Sequence, residues 1–225
     1  MNNMNANHLI FLLSFSLIFF SGATAQELTL PRLSPTDESD RDSQLKTYLG
    51  QLRIVVQKRD GPALQKLIAS DILLTFGPPP NKLTEETLEL MNPNSPVWRE
   101  LEDVLQFGGT FLGTNHFCMP YVFTKFPENI DSYTHQVVIK PSVIARSKPS
   151  GKAPKVTTLE FAIVRTDPGI PEIVTGTDRT RWIIIYLDEQ IAYIPEGTLR
   201  SPIDTRACFE KRRTGWVMTH LVGGD

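Results

Sequence analysis

Residues 143–165 read VIARSKPSGKAPKVTTLEFAIVR, and residues 180–199 read TRWIIIYLDEQIAYIPEGTL. Together these two stretches decide the fold of the second half of the chain. Both contain short runs rich in β-branched and aromatic residues, separated by Pro, Gly and Ser, which is typical of strands joined by turns. They predict a strand carrying Arg146, a turn, a strand carrying Leu159, and a strand that begins at Trp182 and continues through a tight hairpin.

The residues before this region predict helices. Apolar side chains recur at spacings of three and four between Leu45 and Val56, which places them on one stripe of a helix over about 42–58. Further helices are predicted after Pro62, over Thr84–Met91 and from Ser95-Pro96 onward, with a short strand over 72–76. Beyond residue 110 the pattern is strand-like throughout, with predicted strands over 117–123, 136–139, 143–146, 156–165, 181–187, 191–194, 205–211 and 215–221. This order predicts an α+β fold, with N-terminal helices followed by antiparallel β-structure.

The first twenty-five residues predict the compartment. Leu9 to Phe20 is an apolar run of twelve residues, and Ala23-Thr24-Ala25 supplies small side chains ahead of Gln26, as in a cleaved signal peptide. A run of this length is too short to cross a hydrocarbon core of about 30 Å as a helix, so no stable membrane anchor is expected. The mature chain is therefore expected to be exported, either to the periplasm or out of the cell.

The charge balance and the cysteine count narrow the function classes. The chain has 23 basic and 25 acidic residues, a formal net charge of −2, which argues against nucleic acid as a partner. The only cysteines are Cys118 and Cys208. In an oxidising compartment they predict a disulfide bond, and two buried free thiols are the alternative that the sequence leaves open.

The order of strands and turns over about sixty residues resembles bacterial Src-homology-3-type (SH3b-like) domains. The residues that lie where such domains carry their signature side chains are Arg146, Pro149, Leu159, Trp182, Tyr193 and Ile194. The resemblance implies a small SH3-like β-barrel over 136–199 that recognises peptides, including cell-wall peptides, in a shallow groove. Tyr193 and Trp182 are then the candidate aromatic ligand-binding residues and Arg146 a candidate carboxylate partner, with core packing as the alternative role for each.

The flanks of this region have a weaker resemblance to the cone-shaped nuclear-transport-factor-like fold, in which helices pack into a curved antiparallel sheet. The predicted organisation is therefore nested, with the barrel between two parts of a cone-like domain. It comprises a signal peptide over 1–25, a flexible tether over 26–41, a helical and β segment over 42–135, the SH3-like barrel over 136–199, and a C-terminal β-hairpin over 200–225 that completes the first domain.

No catalytic or metal-binding set is expected from the residues. Cys118 with His116 and His135 would suit a cell-wall cysteine peptidase, but Cys118 lies in a β-rich run without the signature of those enzymes. The histidines at 116, 135 and 220 lack the spacing that makes a zinc site a strong prediction. No catalytic residue, metal or cofactor is therefore assigned.

The sequence favours an exported, non-enzymatic binding protein whose partner is a peptide, peptidoglycan or another protein. Two enzyme classes remain as alternatives. One is a cone-fold hydrolase or isomerase that uses an interior pocket, and the other is a divergent cell-wall cysteine peptidase. A purely structural partner protein is the third hypothesis.

Overall fold

The computed structural model describes residues 29–74, 92–166 and 171–224. The predicted signal peptide over 1–25 and the predicted helix Thr84–Met91 lie outside these ranges. Within them, the protein has an α+β fold in which helices come first and mostly antiparallel strands follow, as the sequence predicts.

The first helix begins and ends where its sequence dictates. The Asp42 carboxylate accepts hydrogen bonds from the backbone N–H groups of Gln44 and Leu45, which caps the helix. The helix ends at Arg59, whose φ of 51° is left-handed. The helices are α1 (Ser43–Lys58), α2 (Gly61–Gln65), α3 (Val97–Leu105) and α4 (Tyr121–Thr124), with a 3-10 turn at Ser39–Arg41.

Two separate parts of the chain build the first sheet. In spatial order its strands are β1 (Ile68–Leu73), β13 (Gly215–Val222), β12 (Arg206–Arg212), β3 (His116–Met119) and β2 (Thr110–Phe111). All neighbouring pairs are antiparallel except β1 and β13, which are parallel. The buried faces of α1 and α3 pack against this sheet in one apolar core that includes Leu49, Trp98 and Phe209.

The second sheet lies in the sequence entirely between β3 and β12. In spatial order its strands are β11 (Leu199–Arg200), β4 (His135–Val138), β7 (Ile163–Arg165), β9 (Arg181–Leu187), β10 (Gln190–Pro195), β5 (Val143–Arg146) and β6 (Lys155–Leu159), with β8 (Ile173–Thr175) also paired to β9. The described strands do not close into a barrel, because β11 and β6 at the two ends pair only with β4 and β5.

The second sheet is nevertheless strongly curved. β6 ends at Leu159 and β7 begins at Ile163, although the two strands are four positions apart in the sheet. A flat sheet would hold them about 19 Å apart at the usual spacing of about 4.8 Å, which exceeds the roughly 14 Å that four residues span when fully extended. Apolar side chains from both ends of the sheet, including Leu159 and Leu199, belong to one cluster. The sheet therefore rolls around a core of its own.

Three predicted strands differ from the structure by more than one residue at an end. The strand predicted over 117–123 ends at Met119, because Pro120 has no N–H to donate, and the short helix α4 follows. The strand predicted over 156–165 is interrupted around Phe161, whose φ of 47° is incompatible with an extended strand. The strand predicted over 72–76 begins four residues earlier, at Ile68.

The segment expected to be a flexible tether makes specific contacts over its described part, residues 29–41. Leu33 N–H donates to the Phe161 carbonyl at 2.8 Å, and Arg32 pairs with Glu160 at 3.0 Å on the second sheet. Further along, the Glu38 carboxylate accepts the Phe111 N–H at 3.0 Å, on the first sheet. This segment therefore contacts both sheets.

Cys118 and Cys208 are directly opposite each other in the β3–β12 pair. Their sulfur atoms are 2.03 Å apart and their Cα atoms 4.1 Å apart. Of the two alternatives, a disulfide bond and two free thiols, the structure supports the disulfide bond.

Candidate ligand-binding groove

A groove of about 620 Å³ opens on the outer side of the second sheet. The connections that border it include the loop between β5 and β6, through Gly151, and the turn between β8 and β9, through Asp178 and Thr180. The residues that line it are Lys140, Pro141, Ser142, Val143, Ile144, Arg146, Gly151, Asp178, Thr180, Trp182, Pro195 and Thr198. Two of the three predicted ligand-binding residues, Arg146 and Trp182, are among them.

Strand register places these side chains on one face. Pro195 on β10 is opposite Trp182 on β9, and Tyr193 on β10 is opposite Arg146 on β5. Because residues two apart on a strand share a face, and directly opposed residues share it too, these four side chains point outward together. The alternate residues, such as Ile194, point into the core.

Arg146 both shapes the groove and contributes charge to it. Its Nη1 donates a hydrogen bond of 2.6 Å to the carbonyl of Ala153, which holds the β5–β6 loop against the end of its strand. A guanidinium has five N–H donors, so this bond leaves others for a ligand. Tyr193 is half-buried beside Arg146 and is not among the described residues that line the groove.

Trp182 forms part of the floor and is only 3% exposed. Its indole Nε1 is buried and has no hydrogen-bond partner among the described residues. Gly176 packs beside the ring so closely that an added Cβ would lie 2.9 Å from Nε1 and would overlap the carbonyl oxygen of Pro149. Most of the Trp182 ring is therefore packed against other residues, which is the alternative role that the sequence left open. The residue also lines the groove.

Asp178 joins the two sides of the groove. One carboxylate oxygen accepts the Thr180 N–H at 3.0 Å and the other accepts the Gly151 N–H at 3.4 Å. The bond from the Thr180 backbone is the largest of the causes that lower the pKa of Asp178. Its negative charge is thus already engaged by backbone donors.

Cys118, His116 and His135, considered for a peptidase or metal site, are each engaged with another group in the described ranges. The Cys118 sulfur is bonded to Cys208, so it is not a free thiol that could act as a nucleophile. His116 Nε2 is 3.9 Å from a Glu210 carboxylate oxygen, and His135 Nδ1 lies 3.0 Å from Thr134 Oγ1 on the other sheet. Residues 29–74, 92–166 and 171–224 contain no cluster of three or more His, Cys, Asp or Glu side chains suited to a metal ion.

The space between the helices and the first sheet is filled by buried apolar side chains. A shallow cavity of about 460 Å³ lies at its edge beside Tyr48 and Trp216. The Tyr48 hydroxyl donates to the Leu67 carbonyl at 2.7 Å, and burial raises its pKa. This cavity has no carboxylate or histidine among its described lining residues, so it offers no acid–base pair.

A second cavity on the outer side of the second sheet is not anticipated by the sequence. Its volume is about 360 Å³, and its lining includes His135, Arg165, Tyr186 and Asp188. The Arg165 guanidinium lies 4.6 Å from the centroid of the Tyr186 ring, so the cation is partly engaged by that ring. The signal that could have indicated this site is the outward alternation of Trp182, Ile184 and Tyr186 along β9.

No protein-family model matches the chain, and no curated protein or solved structure shows significant similarity to it. Within the described ranges, every helix is too short or too polar to span a lipid bilayer.

Proposed function

We propose that this chain is an exported, non-enzymatic binding protein that presents an SH3-like domain over 136–199 and recognises an extended peptide in the groove beside Trp182. The observation that carries the proposal is the convergence of Arg146, Trp182 and two bordering loops on a single groove. Guanidinium donors at the edge of a groove whose lining includes Ile144, Pro195 and the exposed edge of Trp182 suit a peptide backbone and its side chains. The peptide belongs either to the cell wall or to another protein.

The arrangement of strands supports the SH3-like part of the proposal. The pairing of β10 with β5 brings two non-consecutive strands together, and the core shared by β11 and β6 rolls the sheet into a compact unit. The sequence resemblance implies a small β-barrel, and a rolled, unclosed sheet with a groove beside its loops is the coarser feature that supports the proposal. Fold alone does not define a ligand, so the groove residues carry the functional argument.

Export is supported by two independent features. The apolar run with small residues before Gln26 has the pattern of a signal peptide. Cysteines at disulfide distance fit a compartment in which thiols are oxidised.

Retention on insoluble peptidoglycan tests the wall-binding form of the proposal. The purified protein is mixed with peptidoglycan and sedimented, in parallel with the variants Arg146→Gln and Tyr193→Ala. Tyr133→Ala is the matched control for Tyr193→Ala, because Tyr133 is 48% exposed and, unlike Tyr193, does not lie in a strand opposite a lining residue such as Arg146. We expect the two groove-side variants to lose about ten-fold in affinity, as for truncated interface anchors, and the control to bind like wild type.

Equal retention of all four proteins would place wall binding outside the groove and contradict the proposal. Absence of retention for the wild type would remove peptidoglycan as the partner and leave peptides of protein origin, which the selection described below examines.

A further inference from the structure

The groove lies in the most cationic stretch of the chain. Residues 132–159 contain no Asp or Glu, although the whole chain has more acidic than basic residues. The stretch has five basic residues: Lys140, Arg146, Lys148, Lys152 and Lys155. The chain as a whole has a net charge of −2, so it does not attract anions in general. The local excess of positive charge therefore favours anionic ligands at this place on the protein.

The fold brings four of these charges to the groove or to a loop that borders it. Lys140 and Arg146 line it directly, and Lys148 and Lys152 belong to the β5–β6 loop that borders it through Gly151. The four lysines are solvent-exposed. In the described parts of the chain, no carboxylate lies within 4.0 Å of any of the five basic groups.

The described lining also contains a single carboxylate. Asp178 accepts backbone N–H groups from Thr180 and Gly151. The lining therefore combines basic groups that have no carboxylate partner with one carboxylate that backbone donors already hold.

We infer that the groove binds an extended peptide segment that carries carboxylates. This inference rests on the proposed function and adds the chemical class of the ligand. Carboxylates would pair with the remaining guanidinium donors of Arg146 and with Lys148 and Lys152, and apolar ligand groups would cover Trp182 and Pro195. A polyphosphate or nucleic acid fits less well, because it needs a continuous basic track and the lining of this groove includes the carboxylate of Asp178.

Selection from a random library tests the ligand class without a known sequence. A phage-displayed library of random twelve-residue peptides is panned on the immobilised protein, and recovered sequences are compared with the unselected library. We expect the combined frequency of Asp and Glu to rise by about two-fold. The affinity of the best peptide should fall by about five-fold in Lys148→Gln/Lys152→Gln, which removes two exposed ion pairs.

The matched control is Lys58→Gln/Lys66→Gln. It removes the same number of charges from exposed lysines near α1 and α2, which do not line the groove. We expect its affinity to stay within about two-fold of wild type, because charges farther away than about 10 Å are screened at 0.1 M salt. An equal loss in both double variants would show a response to net charge alone and overturn the inference.

The remaining outcomes separate the inference from the proposed function. Neutral or basic peptides that bind wild type and are lost in Arg146→Gln would preserve the peptide groove and overturn the preference for carboxylates. Displacement of the selected peptide by inorganic polyphosphate at an equal concentration of charge would overturn selectivity for a peptide. Recovery of no peptide above background would overturn the inference, and together with no retention on peptidoglycan it would overturn the proposed function as well.

Discussion

Cys118 and Cys208 are paired residues on neighbouring strands although 90 positions separate them in the sequence. Cys118 lies just before the part of the chain that forms the second sheet, and Cys208 lies just after it. The bridge therefore fastens the first sheet at the place where the chain leaves it and returns to it.

Loss of this bridge should destabilise the protein considerably. In Cys118→Ser/Cys208→Ser we expect the free energy of unfolding to fall by about 2–4 kcal/mol, because the unfolded chain regains the freedom of a long closed loop. Urea unfolding of wild type with and without reductant provides the measurement. The double variant should be insensitive to reductant, and a wild-type midpoint that reductant leaves unchanged would contradict the bridge.

Asp42 should stabilise the protein in two separable ways. It caps α1 through the N–H groups of Gln44 and Leu45, and it pairs with Lys211 on β12 at 2.7 Å. Asp42→Ala removes both and should cost about 1–2 kcal/mol, whereas Asp42→Asn keeps a capping oxygen and should cost less than about 1 kcal/mol. Asp40→Asn is the control, because the Asp40–Lys46 pair is largely exposed. A cost for the control equal to that of Asp42→Ala would contradict a specific role for Asp42.

The pH dependence of the Asp42 contribution follows from its pKa. The hydrogen bond from Lys211 is the largest cause that lowers the pKa of Asp42 in the folded protein. This stabilisation is complete above the pKa of Asp42 in the unfolded chain, about 3.9. It is lost as the pH falls through the lower pKa that Asp42 has in the folded protein. Urea unfolding between about pH 2 and 6 should therefore show the wild type and Asp42→Asn converging in stability at acid pH. A constant difference across that range would exclude this linkage.

Much of the fold can be predicted from local pattern, and the exceptions have physical causes. The apolar stripe and Asp42 define α1 to within one residue, because helix bounds depend on neighbours in sequence. The parallel pairing of β1 with β13 is not predictable in this way, since it joins segments more than a hundred residues apart. The second sheet curves without closing into a barrel, and this also depends on contacts between strands that are distant in the sequence.

The sequence predicts single residues of the candidate site but not the groove that they line. Arg146 and Trp182 are identifiable from their positions in the pattern of strands, and both line the groove. Gly151 and Asp178 are not identifiable, because their placement depends on the conformations of connecting loops. The close contact of Gly176 with Trp182 likewise has no local sequence signal.

Gly176 and Gly50 should respond in opposite directions to the same substitution. Gly176→Ala places a Cβ against Pro149 and Trp182 and should cost about 1–3 kcal/mol through overpacking, with weaker peptide binding. Gly50→Ala adds a Cβ in open space within α1 and should stabilise by about 0.5–1 kcal/mol. Guanidinium unfolding compares the two. Equal shifts of the same sign would show that the groove loops are not packed as described.

The tryptophan indole N–H signals test the groove most directly. The chain has three tryptophans, and Trp98 Nε1 is bonded to the Asn92 carbonyl in the first core, whereas Trp216 borders the separate cavity near Tyr48. The ¹⁵N-labelled protein is titrated with the best peptide from the random-library selection. We expect the Trp182 indole signal to shift to saturation while the Trp98 and Trp216 signals stay in place. A shift of Trp216 alone, or saturation of binding with Trp182 unmoved, would contradict the groove as the binding site.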